Sequence, residues 1–119
     1  MRHRVKKLQK LGTDKEHSVS ILRGIAVSLI INERIQTTSP RAKAVQSFVE
    51  KLITKGKKNE MQRAIMLINK EIQHKSACKK IVEELAKRYT TRTSGFTRRM
   101  RVGNRKGDNA DLVQLELLA

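Results

Sequence analysis

The apolar residues of this 119-residue chain change their spacing near residue 90, and this change constrains the fold more than any other feature. Before that point they recur every three or four positions, which predicts amphipathic helices. After it they alternate with polar residues, which predicts strands with one wet face. We therefore expect an α+β fold of about four helices packed on a short sheet of two to three strands.

The first two helices have recognisable start signals. The first is predicted over residues 14–32, with Thr13 as its N-cap and Glu16 completing a capping box. The second begins at Ser39-Pro40, with the serine as N-cap and the proline at the first helical position. Gly56 suits the C-terminal cap of this helix.

The next two helices follow from apolar faces at helical spacing. The third has its face between Met61 and Ile72, and Ser76 is predicted to cap a fourth helix that reaches Tyr89. Cys78 lies on the apolar face of the fourth helix. We interpret it as a core residue, because an unpaired cysteine packs as a small apolar side chain.

The last part of the chain is predicted to form an antiparallel hairpin. Its first strand covers residues 96–102, and its last strand contains the alternating apolar residues of 113–117. Residues 34–38, rich in β-branched types, are a possible third strand. In the first hairpin strand the apolar side chains expected to share one parity are Phe96, Met100 and Val102. Arg98 breaks that pattern, and this register does not explain it.

The positive charge is concentrated near the two ends of the chain. Lysine and arginine total 27 against 11 acidic residues, a net charge of +16. Residues 1–12 contain no acid and carry Arg2, His3, Arg4, Lys6, Lys7 and Lys10. Residues 88–107 also contain no acid and carry Arg88, Arg92, Arg98, Arg99, Arg101, Arg105 and Lys106. Like charges at this density repel one another, so the expected partner is a polyanion.

These patterns predict two parts of unequal size. Residues 1–12 have no periodic apolar pattern and read as an extended basic arm that binds RNA, and residues 13–119 read as a single globular α+β domain. No apolar run approaches the length that crosses a bilayer, so no membrane partner is expected. The single cysteine predicts neither a disulfide framework nor a zinc site, and the expected compartment is a reducing cytosol.

No pattern in the sequence favours catalysis, a metal or a cofactor. The histidines His3, His17 and His74 are scattered, and no phosphate-loop or dinucleotide motif is present. His17, near the start of the first helix, is either a phosphate contact or an exposed first-turn residue.

The few aromatic residues favour recognition of RNA shape over base stacking. Phe48 is interpreted as a core residue, and so are Tyr89 and Phe96, for which stacking on a splayed base is the alternative because they flank the basic stretch. Proteins that stack bases usually display several aromatics on a sheet. The alternative is a DNA-binding regulator or architectural protein that reads bases with a helix. The exposed face of 76–89 argues against it, because its charges are mixed in sign and it is poor in Asn and Gln.

Several segments together resemble a known family. The central ones are Ile35-Gln36-Thr37-Thr38, Arg41-Ala42-Lys43 and Glu50-Lys51-Leu52-Ile53, the start is Met1-Arg2-His3-Arg4, and the end contains Gly95-Phe96-Thr97-Arg98, Arg105, Gly107-Asp108-Asn109-Ala110 and Glu116-Leu117. Their types and spacing are similar to those of the bacterial large-subunit ribosomal proteins numbered seventeen. The resemblance covers essentially the whole chain.

This resemblance implies a structural role without enzymatic activity. Members of the family are bound to the major (23S) ribosomal RNA of the large (50S) subunit near the rim of the nascent-chain exit, in the cytoplasm. The implied partners are that RNA and neighbouring large-subunit proteins, and no DNA is expected. The candidate RNA-binding residues are Arg2, His3, Arg4, Lys6, Lys7, Lys10, His17, Arg23, Thr37, Thr38, Lys43, Arg92, Arg98, Arg99, Arg101, Arg105 and Lys106.

Overall fold

The computed structural model describes residues 15–119, and their secondary structure follows the predicted order. The elements are α1 (Lys15–Asn32), β1 (Arg34–Thr38), α2 (Ser39–Lys58), α3 (Met61–Ile72), α4 (Lys75–Lys80), a π-helical turn (Ile81–Leu85), α5 (Ala86–Arg88), β2 (Thr97–Asn104) and β3 (Asp111–Leu117). Because α4, the π turn and α5 follow one another without a break, we call them together the fourth helix. The predicted α+β class, with four helices and a sheet, is confirmed. The predicted arm at 1–12 and the capping residue Thr13 lie outside the described residues.

The three strands form one antiparallel sheet in the order β1-β3-β2. The segment at 34–38 is therefore the third strand, paired with β3 from Arg34 opposite Glu116 to Thr38 opposite Leu112. On the other side of β3, β2 pairs from Thr97 opposite Leu117, and a bulge interrupts the register between Arg101 and Gly103. The last strand in sequence is thus the central strand of the sheet.

The core fills the space between the helices and one face of the sheet. Each helix contributes a stripe of fully buried side chains, and β3 contributes Val113, Leu115 and Leu117. Tyr89 and Phe96 are also buried, with ring centroids 5.1 Å apart, and the Tyr89 hydroxyl donates to the Leu118 carbonyl. Both rings belong to the core, as predicted, and Cys78 is buried as well.

Three predicted helix caps are wrong in detail. Thr38 is the residue before α2, and Ser39 is already helical. The fourth helix is capped by His74 rather than Ser76, because the His74 Nδ1 accepts a hydrogen bond from the Ala77 amide at 3.1 Å. Gly56 lies inside α2, which runs on to Lys58.

Gly56 has a packing role. A Cβ at this position would stand 3.0 Å from the Ile81 Cγ2 and 3.5 Å from the Ile68 Cδ1. The missing side chain lets α2 approach the fourth helix closely at the start of the π turn. This is a different reason for glycine from the left-handed backbone that a helix cap requires.

The predicted inward face of β2 is wrong. Met100 and Val102 are exposed, whereas Thr97 is buried opposite Leu117 and donates from its Oγ1 to Glu50 at 2.8 Å. Phe96 is buried but precedes the strand. The reason is that β2 is an edge strand of the sheet, and its side chains after Thr97 are exposed on both faces.

The link between α1 and β1 is held by an acidic residue. Glu33 has a left-handed backbone (φ 65°), and its carboxylate contacts Arg88 at 2.8 Å and Lys80 at 3.1 Å. Hydrogen bonds from these two cations lower the pKa of Glu33. These ion pairs attach the α1–β1 junction to the fourth helix.

Candidate nucleic-acid interface

A wide cleft lies between the start of α2 and the β2–β3 hairpin. Its volume is about 1070 Å³, and its lining residues are Thr38, Ser39, Pro40, Lys43, Gln46, Ser47, Glu50, Arg99, Ala110 and Asp111. Three of the predicted RNA-binding residues, Thr38, Lys43 and Arg99, are brought together here from different elements. The N-terminal dipole of the 20-residue α2 adds a weak positive potential to this end of the cleft.

Some charged side chains that line the cleft already have partners within the protein, and others do not. Asp111 is paired with Arg101 at 3.2 Å, and Glu50 accepts the hydrogen bond from Thr97. Lys43 and Arg99, by contrast, are exposed and form no ion pair with any residue between 15 and 119. These two cations are therefore the ones available to an anionic ligand in the cleft.

A second, smaller groove continues the first along α2. It is about 220 Å³ in volume and is lined by Val19, Leu22, Arg23, Ala44, Ser47, Phe48, Lys51 and Glu71. Ser47 lines both grooves. Lys43, Ser47 and Lys51 are spaced by four residues and so follow one another along the same side of the helix; we call these three residues the α2 ridge.

Lys51 was not among the residues predicted from the sequence, although its spacing was a usable signal. A lysine eight residues after Lys43 lies about 12 Å further along the same helical face. Arg23, which was predicted, faces the ridge from α1 across the smaller groove. The ridge therefore has a cation beside it at each end, Arg99 near Lys43 and Arg23 near Lys51.

The outer face of the sheet carries a row of three charges. Arg34 and Arg98 are both opposite Glu116 in the strand register, one on each side of it. The Arg98 Nε donates to Glu116 at 2.8 Å, and the Arg34 Nε lies 3.4 Å from the same carboxylate. Hydrogen bonding to Arg98 is the main cause of the lowered pKa of Glu116.

Pairing with Glu116 explains why an arginine occupies position 98, where the predicted register expected an apolar residue. Arg98 lies on the outer face with Met100, opposite a carboxylate that is only 7% exposed. Arg34, which the sequence reasoning missed, completes the neutralisation from β1. One carboxylate between two arginines leaves the row with a net positive charge on the outer face.

The tip of the hairpin is shaped by Asp108. Its Oδ1 accepts from the Ala110 amide at 3.2 Å and from the Arg105 Nε at 3.1 Å. These bonds lower the pKa of Asp108 to about 2. Arg105 is thus engaged within the loop, while Lys106 is exposed and makes no ion pair among the residues described.

The remaining predicted residues are dispersed. Arg92 lies in the loop before β2, where its carbonyl oxygen accepts a hydrogen bond from the Lys57 Nζ. Thr37 is half-buried on the inner face of β1, opposite Val113. His17 is exposed in the first turn of α1. The arm residues Arg2, His3, Arg4, Lys6, Lys7 and Lys10 precede the described part.

Within residues 15–119 there is no cluster of three or more His, Cys, Asp or Glu residues that could hold a metal ion. None of the described helices is long and apolar enough to cross a membrane.

Comparison with known proteins decides the family. The family model described as ribosomal protein L17 matches residues 21–118. The large ribosomal subunit protein bL17 of Staphylococcus haemolyticus is 42% identical over 119 residues, covering 92% of this chain and 97% of that protein. The chain belongs to the ribosomal protein L17 family. The bL17 proteins of Staphylococcus epidermidis and Staphylococcus aureus are 41% and 42% identical over the same length, each alignment covering 92% of this chain and 98% of the relative.

Membership in the L17 family confirms the resemblance seen in the sequence. The chain is a protein of the large ribosomal subunit, and it is a structural component rather than an enzyme. The expected location, the ribosome in the cytoplasm, is confirmed by the same membership.

Proposed function

We propose that this chain binds and stabilises folded 23S ribosomal RNA of the 50S subunit near the rim of the exit tunnel. The observation that carries the proposal is the alignment of Lys43 and Lys51 on the α2 ridge, with Arg99 and Arg23 facing it across two adjoining grooves. Cations from three elements line the two grooves, and the carboxylates that also line them are engaged by Thr97, Arg101 and Lys55. Such an arrangement suits the phosphates of an RNA backbone.

The mechanism is charge neutralisation at two places. The α2 ridge holds one RNA segment by Lys43 and Lys51, and the sheet provides the second place, with Lys106 at the hairpin tip and Arg34 and Arg98 on its outer face. Each phosphate neutralised by a lysine or arginine releases counterions, which makes the affinity depend strongly on salt. Because phosphate and sugar contacts dominate, recognition is of RNA shape.

Mutation of the α2 ridge gives the quantitative test. We expect Lys43→Gln/Lys51→Gln to weaken binding of the full chain to a 23S RNA fragment and to reduce the slope of log K against log salt by about 2, one per lost phosphate contact. Lys79→Gln/Lys87→Gln is the matched control, since these two lysines are also exposed, also eight residues apart and lie on the fourth helix. Equal slopes for the two variants, measured by filter binding, would contradict the proposal.

The identity of the RNA is tested separately by ultraviolet crosslinking in cells. Sequencing of the attached nucleic acid should give reads concentrated at a few sites of 23S RNA. Reads spread over messenger RNA, or recovery of DNA, would contradict the proposed target. Recovery of DNA would favour the alternative of a DNA-binding protein.

A further inference from the structure

The outward face of α3 differs in chemistry from the rest of this basic molecule. Met61, Ile65 and Met66 are 57%, 42% and 67% exposed, and the polar residues between them, Gln62 and Asn69, are uncharged. At 100° per residue these five side chains occupy one continuous sector of the helix. We call this sector the α3 face.

An uncharged face of this kind is unusual in a chain in which 32% of residues are charged. Single exposed apolar side chains are normal, but a group of them on one face marks an interaction surface. Methionine is enriched and charged residues are depleted at the centres of protein–protein interfaces. The composition of the α3 face is therefore that of an interface centre.

The α3 face is held on a rigid support away from the proposed RNA site. The adjoining side of α3 is buried through Ala64, Ile68 and Ile72, and the Cys78 Sγ lies 3.6 Å from the Ile65 carbonyl oxygen, within hydrogen-bonding distance. The helix packs against α1, α2 and the fourth helix. No residue of the α3 face lines either groove beside the α2 ridge.

The charges around the face distinguish among possible occupants. RNA could meet Arg63 and Lys70 at the edge of the face with its phosphates, but its charged backbone would leave the apolar side chains of Met61, Ile65 and Met66 unburied. A second copy would bring together two chains of +16 each, with Arg63 and Lys70 at the edge of the face adding to the repulsion. A protein with an apolar centre and carboxylates at its rim would bury the methionines and pair with Arg63 and Lys70.

We propose that the α3 face docks onto such a protein, an apolar surface rimmed by carboxylates on a neighbouring protein of the large subunit. The docking uses the side chains of Met61, Ile65 and Met66 and leaves the α2 ridge to the RNA. It relies on membership in the large subunit and does not depend on which RNA segment the ridge binds.

The test is a photo-crosslink from the α3 face in assembled subunits. With p-benzoylphenylalanine at Met66 of the full chain, mass spectrometry of irradiated 50S subunits should show a crosslink to one ribosomal protein, at an apolar segment next to Asp or Glu. The same probe at Glu83, exposed on the fourth helix, is the control and should give no crosslink to that protein. Crosslinks from Met66 to RNA or to a second copy, crosslinks to no protein, or equal yields from both positions would overturn the proposal.

A variant separates this proposal from RNA binding. Met61→Gln/Met66→Gln, which does not change the net charge, should lower retention of the chain in salt-washed subunits by about tenfold, as loss of the centre of an interface does, and leave affinity for the 23S fragment unchanged. Both positions are solvent-exposed in the described structure, so the substitutions do not disturb the core. Unchanged retention would overturn the proposed docking. Loss of RNA affinity in the Lys43→Gln/Lys51→Gln variant, with normal RNA affinity in the methionine variant, would support separate sites for RNA and protein.

Discussion

At the scale of single residues, two glycines in helices have opposite surroundings. Gly24 of α1 is exposed, and a Cβ there would meet no atom within 4 Å. Gly56 of α2 is buried, and a Cβ there would press on the Ile81 side chain at 3.0 Å. The sequence favoured a helix cap at Gly56, and only the packing against Ile81 explains why that position requires glycine.

We expect Gly24→Ala to stabilise the domain by about 0.5–1 kcal/mol, since alanine loses less conformational entropy in a helix. Gly56→Ala has the same intrinsic gain but must displace Ile81, so its free energy of unfolding should fall below that of Gly24→Ala by about 1 kcal/mol or more. Urea denaturation of the two variants measures both values. Equal stabilisation by both would show that α2 and the fourth helix can move apart at no cost.

Helix caps show where sequence reasoning fails at this scale. Ser76 was chosen because serine is a common N-cap, yet His74 caps the fourth helix with its Nδ1. A histidine can accept this bond when its ring faces the first turn, and the sequence does not reveal ring orientation. The error of two residues left the helix itself correctly predicted.

At the scale of elements, burial decided which predictions succeeded. The first helix was predicted over residues 14–32 and is observed over Lys15–Asn32, where Leu22, Ala26, Leu29 and Ile30 form the buried stripe that the spacing indicated. In β2, Met100 and Val102 were predicted to face the core and are exposed. An edge strand that is exposed on both faces has no buried side, so its apolar alternation does not indicate which face is inward. The pairing of Arg34, Arg98 and Glu116 depends on strand order, which local sequence does not contain.

The junction between α1 and β1 gives a prediction about pH. Because the folded pKa of Glu33 is lowered below 4.5 by Arg88 and Lys80, its contribution to stability is present above pH 4.5 and is lost as pH falls through the folded value. We expect Glu33→Gln to lower the free energy of unfolding at pH 7 by less than about 1 kcal/mol, since the carboxylate is partly exposed and screened by solvent.

The difference between wild type and Glu33→Gln should shrink as the pH is lowered below 4.5. Glu83→Gln is the control, because Glu83 is exposed and forms no ion pair among residues 15–119. Urea denaturation across this pH range measures all three proteins. A difference that stays constant with pH would mean that the ion pairs of Glu33 do not stabilise the junction.

At the scale of the whole molecule, the charge of +16 acts on folding and on binding in opposite directions. Without RNA the cations repel one another, so adding salt from about 0.01 M to about 0.1 M, which shortens the Debye length from about 30 Å to about 10 Å, should raise the melting temperature of the free chain. The same change should weaken its binding to RNA. Calorimetry and filter binding in the same buffers test this; a melting temperature that falls with salt would show that internal ion pairs outweigh the repulsion.

The strand order has a consequence for how the molecule is made. The strand β3 lies between β1 and β2, yet it follows both in the chain. During synthesis from the N-terminus, β1 and β2 therefore have no partner in the sheet until residues 111–117 have emerged. The helices, whose contacts are closer in sequence, can assemble earlier. Until β3 has been synthesised, both β1 and β2 have unpaired backbone hydrogen-bonding groups. The arginines along β2 disfavour pairing of this strand with other nascent chains, because like charges repel.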